Sequence, residues 1–324
     1  MRLARAGRRP ARLQEGNLLS LRAAVIGLGT MGPGIAATLA RSGARVKTFD
    51  TDPKRRAGAH REFEVATTVL ERLGVPDRSG GVPITIAETL ADCVAGAGLV
   101  VETVPEDLAL KIEVLREVEA LVDPQCILAS DTSGIPISRI QEGLAVRSRV
   151  IGMHWSNPPH LIPMIEVIAG RWTAPDVVNA MVETVRRTGH LPIVIKKDVP
   201  GFVENRVLYA VMRECLELIE SGVIAPEELD QCVSWGIGLK LAVIGPMALL
   251  DMAGLDIYAA VASYLNRELC DRADVASYIT ERTSQGKLGM KTGSGIFSYT
   301  PERISALRAQ RGTKLAAVRQ ALES

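Results

Sequence analysis

The chain has 324 residues, a formal net charge of +1, and a composition that is 47% hydrophobic and 23% charged. This permits two domains with separate cores and argues against a nucleic-acid binder, which needs an excess of Lys and Arg. Its five cysteines, Cys93, Cys126, Cys215, Cys232 and Cys270, are dispersed without a C-x-x-C pair, the pattern of a reducing, cytoplasmic compartment with neither a disulfide frame nor a metal cage; no apolar run is long enough to span a membrane.

Residues 1–20 hold Arg2, Arg5, Arg8, Arg9 and Arg12 against one acid, Glu15. They carry too few hydroxyl residues for a transit peptide and no apolar core for a signal peptide, so they read as a disordered extension. An apolar run over 23–26 then feeds Gly27-x-Gly29-x-x-Gly32, after which Ile35 and Leu39 continue at helical spacing. In a strand–turn–helix, Gly27 permits the tight turn, Gly29 lets the backbone approach a pyrophosphate, and Gly32 lets the helix pack on its strand. The loop, with Thr30 and Met31, and the helix N-terminus then face the phosphates. Gly43 closes the helix, 45–49 reads as a second strand, and Asp50 ends it where a ribose 2′-hydroxyl needs an acid. That acid would repel a 2′-phosphate and favours NAD over NADP, although Lys54, Arg55 and Arg56 follow it closely.

Strand and helix keep alternating. A helical pattern (Phe63, Ala66, Val69, Leu70, Leu73) ends at Gly74; strands are expected at 83–86, 99–104, 126–130 and 150–154, with helices from Glu88 and over 106–121. This rhythm predicts an α/β fold, a doubly wound parallel sheet of the Rossmann type. The proline-rich passage 157–163 breaks it before strands at 164–168 and 192–196, which flank a helix over 177–187. After Pro200 the texture turns helical: 202–220, 225–236 and 247–265 read as helices, and the tail from Thr300 as a solvated helix. The predicted organisation is a disordered 1–20, a dinucleotide-binding domain 21–199, an all-helical domain 200–300 for substrate and dimerisation, and a helical tail 301–324. The crevice between the two domains is the expected substrate site.

A dehydrogenase needs a base for the alcohol proton while hydride leaves, and histidine titrates in the right range. The chain offers His60, His154, His160 and His190. His60 lies in a polar stretch and His190 in a helix-to-strand turn, so both are expected at the surface. His154 ends a sheet strand, on the edge where such folds hold ligands. Glu166 is a lone acid in the next apolar strand, and a buried carboxylate is costly unless paired. Pairing it with His154 removes that cost and fixes the tautomer, although these two residues alone fit a structural histidine beside an edge-strand acid equally well. Ser133, in the loop after Ser130, and Asn205, at a helix start, offer hydrogen bonds to a substrate oxygen but also match ordinary turn and capping residues.

The stretches 27–50, 130–137, 152–168, 198–206 and 286–299 together resemble the L-3-hydroxyacyl-CoA dehydrogenase family, in one order, over about residues 22–300. The resemblance implies NAD as cofactor, no metal, a small-molecule substrate and a homodimer formed by the helical half. It implies His154 as base, Glu166 as its partner, and Ser133 and Asn205 on the substrate oxygen. It also implies cofactor contacts from Asn157, Glu106, Lys111 and Lys291; the alternatives are a solvated helix start for Glu106 and Lys111 and a plain turn around Lys291. Acyl-CoA members usually carry Asn where Asp131 stands, two aromatics where Trp155 and Ser156 stand, and a longer lysine-rich hairpin where 51–82 is short, with arginines spread among acids. Binding CoA phosphates takes concentrated positive charge. The details at 157–164 and 232–238 look closer to a branch acting on carboxylated pyridine aldehydes in vitamin B6 breakdown. There Trp155, His160 and Arg206 are candidates to hold an aromatic acid, with a core aromatic and a loop residue the alternatives for Trp155 and His160. The expected activity is NAD-dependent oxidation of a small carboxylated, pyridine-type alcohol or hydrated aldehyde. A 3-hydroxyacyl-CoA such as 3-hydroxybutyryl-CoA is the alternative substrate, and a non-catalytic, crystallin-like binding protein the alternative of another class.

Overall fold

The structure, a computed structural model, describes residues 21–323, so the arginine-rich extension lies outside the described residues. The chain divides into two units after Asn205. The first carries eight strands: β1 (Arg22–Ile26), β2 (Arg45–Phe49), β3 (Thr85–Ile86), β4 (Leu99–Glu102), β5 (Ile127–Ser130), β6 (Val150–Trp155), β7 (Met164–Ala169) and β8 (Leu191–Ile195). They form one sheet in the order β3-β2-β1-β4-β5-β6-β7-β8. The strands read as unbroken apolar runs because both faces are covered: Ala23 and Val25 enter one core, Ala24 and Ile26 the other. The order reverses between β1 and β4, the switch point outside which open α/β sheets bind ligands.

One pairing departs from the predicted parallel sheet. β6 and β7 are antiparallel, whereas β7 and β8 are parallel again. A parallel neighbour needs a long, usually helical crossover, and the connection 156–163 is too short for one. The antiparallel register sets His154 directly opposite Glu166, so both side chains leave the same face of the sheet.

The unit boundary falls beyond the predicted Pro200 because the chain stays bonded to the first unit through Asn205. The N–H groups of Val203 and Glu204 donate to Glu166, and Asn205 Nδ2 donates to the Ser133 carbonyl. The second unit is helical. The helix expected over 247–265 is two, Pro246–Ala253 and Leu255–Leu265, broken at Gly254, whose φ of +98° ends the first. The expected 225–236 helix is Pro226–Cys232 followed by a π turn, Val233–Gly238. The tail forms the helix Pro301–Glu323. None of Glu204–Glu220, Pro246–Ala253 and Leu255–Leu265 contains a buried residue. Among the described residues no single helix is long and apolar enough to cross a membrane.

Candidate active site

The glycine loop is built by close approach. Gly27 has φ +99°, and a Cβ there would stand 2.8 Å from the Thr103 carbonyl oxygen; at Gly32 it would stand 1.9 Å from the Gly27 carbonyl oxygen. Gly29 is different, since the nearest atom to a Cβ would be Arg55 Nη1 at 3.8 Å. Packing within the chain does not demand glycine there, and its bare backbone leaves room for a ligand. Thr30 is exposed, Met31 half-buried, and the helix Gly32–Arg41 starts at the loop. Asp50 is buried at the loop, Oδ2 accepting the Leu28 N–H at 2.7 Å and Oδ1 the Asp52 N–H at 2.8 Å. These residues fit a dinucleotide: N–H groups and a helix start for the pyrophosphate, an acid for the ribose. Beside them lies a cavity of about 540 Å³ lined by Gly29, Thr30, Gly34, Arg55, Pro158 and His160, among others.

Two buried acids stand on the sheet. Glu102, at the end of β4, accepts from Lys111 Nζ (2.9 Å) and the Val104 N–H (2.7 Å) on one oxygen and from Ser130 Oγ (2.6 Å) on the other. Lys111 also donates to the Val104 carbonyl and lies 3.5 Å from Glu106 Oε2. The resemblance implies Lys111 as a cofactor contact; its side chain is fully buried and its ammonium forms an internal ion pair with Glu102. Glu106 Oε1 takes the Thr132 hydroxyl (2.6 Å) and the N–H groups of Ser133 and Gly134 (3.0 Å each), which fixes the Ser133 turn.

Glu166 Oε2 lies 2.8 Å from His154 Nδ1, and its Oε1 accepts the N–H groups of Val203 and Glu204, both at 3.1 Å. Those N–H groups open the helix Glu204–Glu220, whose N-terminal dipole favours a negative charge. Gly201 and Phe202 precede it with φ +77° and +49°, a turn that seats the Phe202 ring 5.9 Å from the imidazole. Burial pushes the Glu166 carboxyl up, but the imidazole and the two N–H groups outweigh it and hold it below the usual carboxylate range. Burial pulls His154 down, and the Glu166 bond with the nearby Asp131, Glu166 and Glu204 carboxylates overrides it, so the imidazole sits above its ordinary 6.5. A carboxylate only accepts, so the proton of neutral His154 belongs on Nδ1. Nε2, bonded to no described residue, is left as the acceptor.

The structure therefore brings His154 and Glu166 together, and Ser133 and Asn205 together through the 2.6 Å bond from Asn205 Nδ2 to the Ser133 carbonyl. Asn157 is exposed at the cis Asn157–Pro158 bond after β6. Lys291 and Arg206 are exposed residues of the second unit. Trp155, a candidate substrate wall, is a core aromatic at 1% exposure, its ring 5.2 Å from that of His190. His190 is itself buried, correcting its expected surface position, because it bonds Thr188 and approaches the Pro159 carbonyl under that tryptophan. His60 is exposed as expected. His160 lies against the helix Gly32–Arg41, where a Cβ on Gly34 would stand 2.9 Å from its Nδ1.

Sequence reasoning missed Glu204. Its Oε1 accepts the Ser156 hydroxyl at 2.6 Å, and its Oε2 is buried without a partner. Ligand-type atoms of Glu204, Glu166 and His154 all lie within 4.8 Å of one another. An acid at a helix start is an ordinary surface pattern, and only the loop 199–203 turns it inward. Glu102, a lone acid in the apolar strand Leu99–Glu102, carries the same sequence signal as Glu166.

A glycine loop followed by an acid at the next strand's end, a buried histidine–carboxylate pair and polar groups on one sheet edge are the parts a dinucleotide-dependent oxidoreductase needs. The match to known proteins is specific. Residues 22–199 match the 3-hydroxyacyl-CoA dehydrogenase NAD binding domain, and residues 201–299 the 3-hydroxyacyl-CoA dehydrogenase C-terminal domain. The chain belongs to the 3-hydroxyacyl-CoA dehydrogenase family and is an NAD-dependent dehydrogenase. It is 56% identical over 301 residues to 5-formyl-3-hydroxy-2-methylpyridine 4-carboxylate 5-dehydrogenase of Mesorhizobium japonicum, covering 93% of this chain and 97% of that protein. L-carnitine dehydrogenase of Streptomyces coelicolor is 35% identical, covering 72% of this chain and 73% of that one. The crystal structure of a 5-formyl-3-hydroxy-2-methylpyridine 4-carboxylic acid 5-dehydrogenase, an NAD+ dependent dismutase, superposes with a TM-score of 0.91 at 55% identity, over 94% of this chain and 98% of that chain.

Proposed function

We propose that the protein oxidises the aldehyde of 5-formyl-3-hydroxy-2-methylpyridine 4-carboxylate, or a close carboxylated pyridine aldehyde, to the carboxylate with NAD, acting on the aldehyde hydrate. The observation that carries this reading is the 56% identity to the Mesorhizobium japonicum enzyme along nearly the whole chain. The site geometry supports it. NAD, when bound, supplies the hydride acceptor. His154 Nε2 takes the proton of one hydroxyl as the carbon gives up its hydride, while Glu166 holds the imidazole by Nδ1 and stabilises the imidazolium. Ser133 and Asn205 hold the oxygen that becomes the carbonyl; Glu106 bonds the Ser133 turn, and Asn205 bonds the Ser133 carbonyl. Gly27, Gly29, Thr30, Met31, Gly32, Asp50, Glu106 and Asn157 serve the cofactor, joined by Lys291.

The same reading makes the protein a homodimer. Trp235, Val243, Met247, Met252, Leu255, Ile257 and Tyr264 are exposed large apolar residues of the second unit, side chains of the kind that a second copy covers. The test is NADH formation by the purified protein, with the pyridine aldehyde and L-3-hydroxybutyryl-CoA in parallel, while light scattering reads the molar mass. Turnover of the aldehyde alone, by a species of twice the chain mass, is expected. Turnover of the CoA ester alone would overturn the substrate assignment, and a monomer the assembly.

A further inference from the structure

A hydrated aldehyde has two oxygens on the reacting carbon where an alcohol has one, and His154 with Ser133 and Asn205 accounts for only one of them. The acids around His154 differ in what they have left to give. Both oxygens of Glu166 are bonded. Glu204 gives one oxygen to Ser156, and the other is sealed from solvent. Glu102 is saturated by Lys111, Val104 and Ser130. Asp131 stands apart. It follows Ser130 at the carboxyl end of β5, two residues before Ser133, and its Oδ1 accepts the N–H of Trp155, the residue after His154, at 2.8 Å. Its Oδ2 accepts no hydrogen bond from the described residues and is not among the sealed atoms, and the residue keeps 8% of its surface.

Resting on the aldehyde reading above, we infer that Asp131 is the general base that adds water to the bound aldehyde. In this step the water oxygen bonds to the carbonyl carbon, one water proton passes to the Asp131 carboxylate, and the carbon–oxygen π bond opens. The former carbonyl oxygen takes the proton held by the His154 imidazolium. The products are the hydrate, neutral His154 and protonated Asp131, so no oxidant is consumed and the base is left ready for the hydride step. Burial pushes the Asp131 carboxyl up to about 8, against the Trp155 N–H and the positive charges of His154 and Lys111, with the Glu102 carboxylate adding to the rise. A base tuned close to working pH both supplies some carboxylate and takes a proton readily. His154, raised above its ordinary value, supplies imidazolium for the same step.

The test compares two reactions of one aldehyde. Its oxidation with NAD needs the added water; its reduction by NADH to the alcohol uses the unhydrated carbonyl and does not. Asp131→Asn, which keeps an acceptor for the Trp155 N–H, should slow oxidation by about 10²-fold and leave reduction within a factor of about three. NADH binding at wild-type affinity reports that the fold is intact; should the Asn variant fail there, Asp131→Ser goes through the same assays. Equal loss in both directions would make Asp131 a structural acid, and unchanged oxidation would mean that hydrate formed in solution suffices; either overturns the inference. A wild-type protein inert toward the aldehyde would instead overturn the substrate reading, and this inference with it.

Discussion

Glu102 and Glu166 occupy similar ground: each is a lone acid in an apolar strand, 0% and 1% exposed, with one basic residue against it. Around Glu102 every group is claimed, and Lys111 spends its ammonium on Glu102, the Val104 carbonyl and Glu106. Around Glu166 the carboxylate is equally saturated, but its partner is not, because His154 gives up Nδ1 and keeps Nε2. The partners also differ in kind. The ordinary pKa of an imidazole lies near neutral pH, and that of a lysine ammonium several units above it. A buried pair becomes a tool for proton transfer when its basic member titrates near neutrality and retains an open atom; otherwise it is scaffolding.

Removing each basic member should therefore damage different things. His154→Ala is expected to cut turnover by roughly 10³-fold while fluorescence titration finds NADH bound as in the wild type; near-normal turnover would take His154 out of the mechanism. Lys111→Met should act on folding, since it strands the Glu102 charge in the interior at a cost of about 3–5 kcal/mol, read from urea unfolding. The double variant Glu102→Gln, Lys111→Met removes both charges and should recover much of that loss. A Lys111→Met protein of normal stability that no longer binds NADH would break the comparison and return Lys111 to the cofactor site.

How far the sequence reveals this follows from what each feature depends on. The glycine loop and Asp50 are legible because spacing along one strand, turn and helix determines them, and the two-part fold because strand–helix rhythm gives way to helices after Pro200. His154 and Glu166 are legible as partners because each is anomalous alone: a histidine at a strand end, an acid in an apolar strand. The antiparallel pairing of β6 and β7 is written only in the short connection 156–163, since strand direction depends on that connection and not on the pattern of either strand. His190 is polar and lies in a turn, and only tertiary packing places it beneath Trp155. Glu204 has no local signature, since its inward position depends on the αL turn at Gly201 and Phe202 and on the N–H groups that Glu166 draws in. The helix expected over 247–265 hid its break in a single glycine, which a helical pattern tolerates and a positive φ does not.

That hidden acid yields the smallest and most discriminating effect. The His154 imidazole is raised above 6.5 by the Glu166 bond and by the charges of Asp131, Glu166 and Glu204, against the pull of burial. A raised value means that the imidazole is still protonated at pH 6.5, so a reaction needing the neutral base loses rate as pH falls through a point above 6.5. In alcohol oxidation, which needs no added water, the acidic limb of kcat/KM against pH should report this group in the free enzyme. Glu204→Gln keeps an acceptor for the Ser156 hydroxyl and removes only the charge. The limb should then move to lower pH, making the variant relatively faster on the acid side and equal to the wild type on the plateau. A limb that stays in place while the plateau falls would mean that Glu204 matters for the shape of the loop and not for the basicity of His154. Movement to higher pH would contradict the sign of the interaction and place the Glu204 charge away from the imidazole.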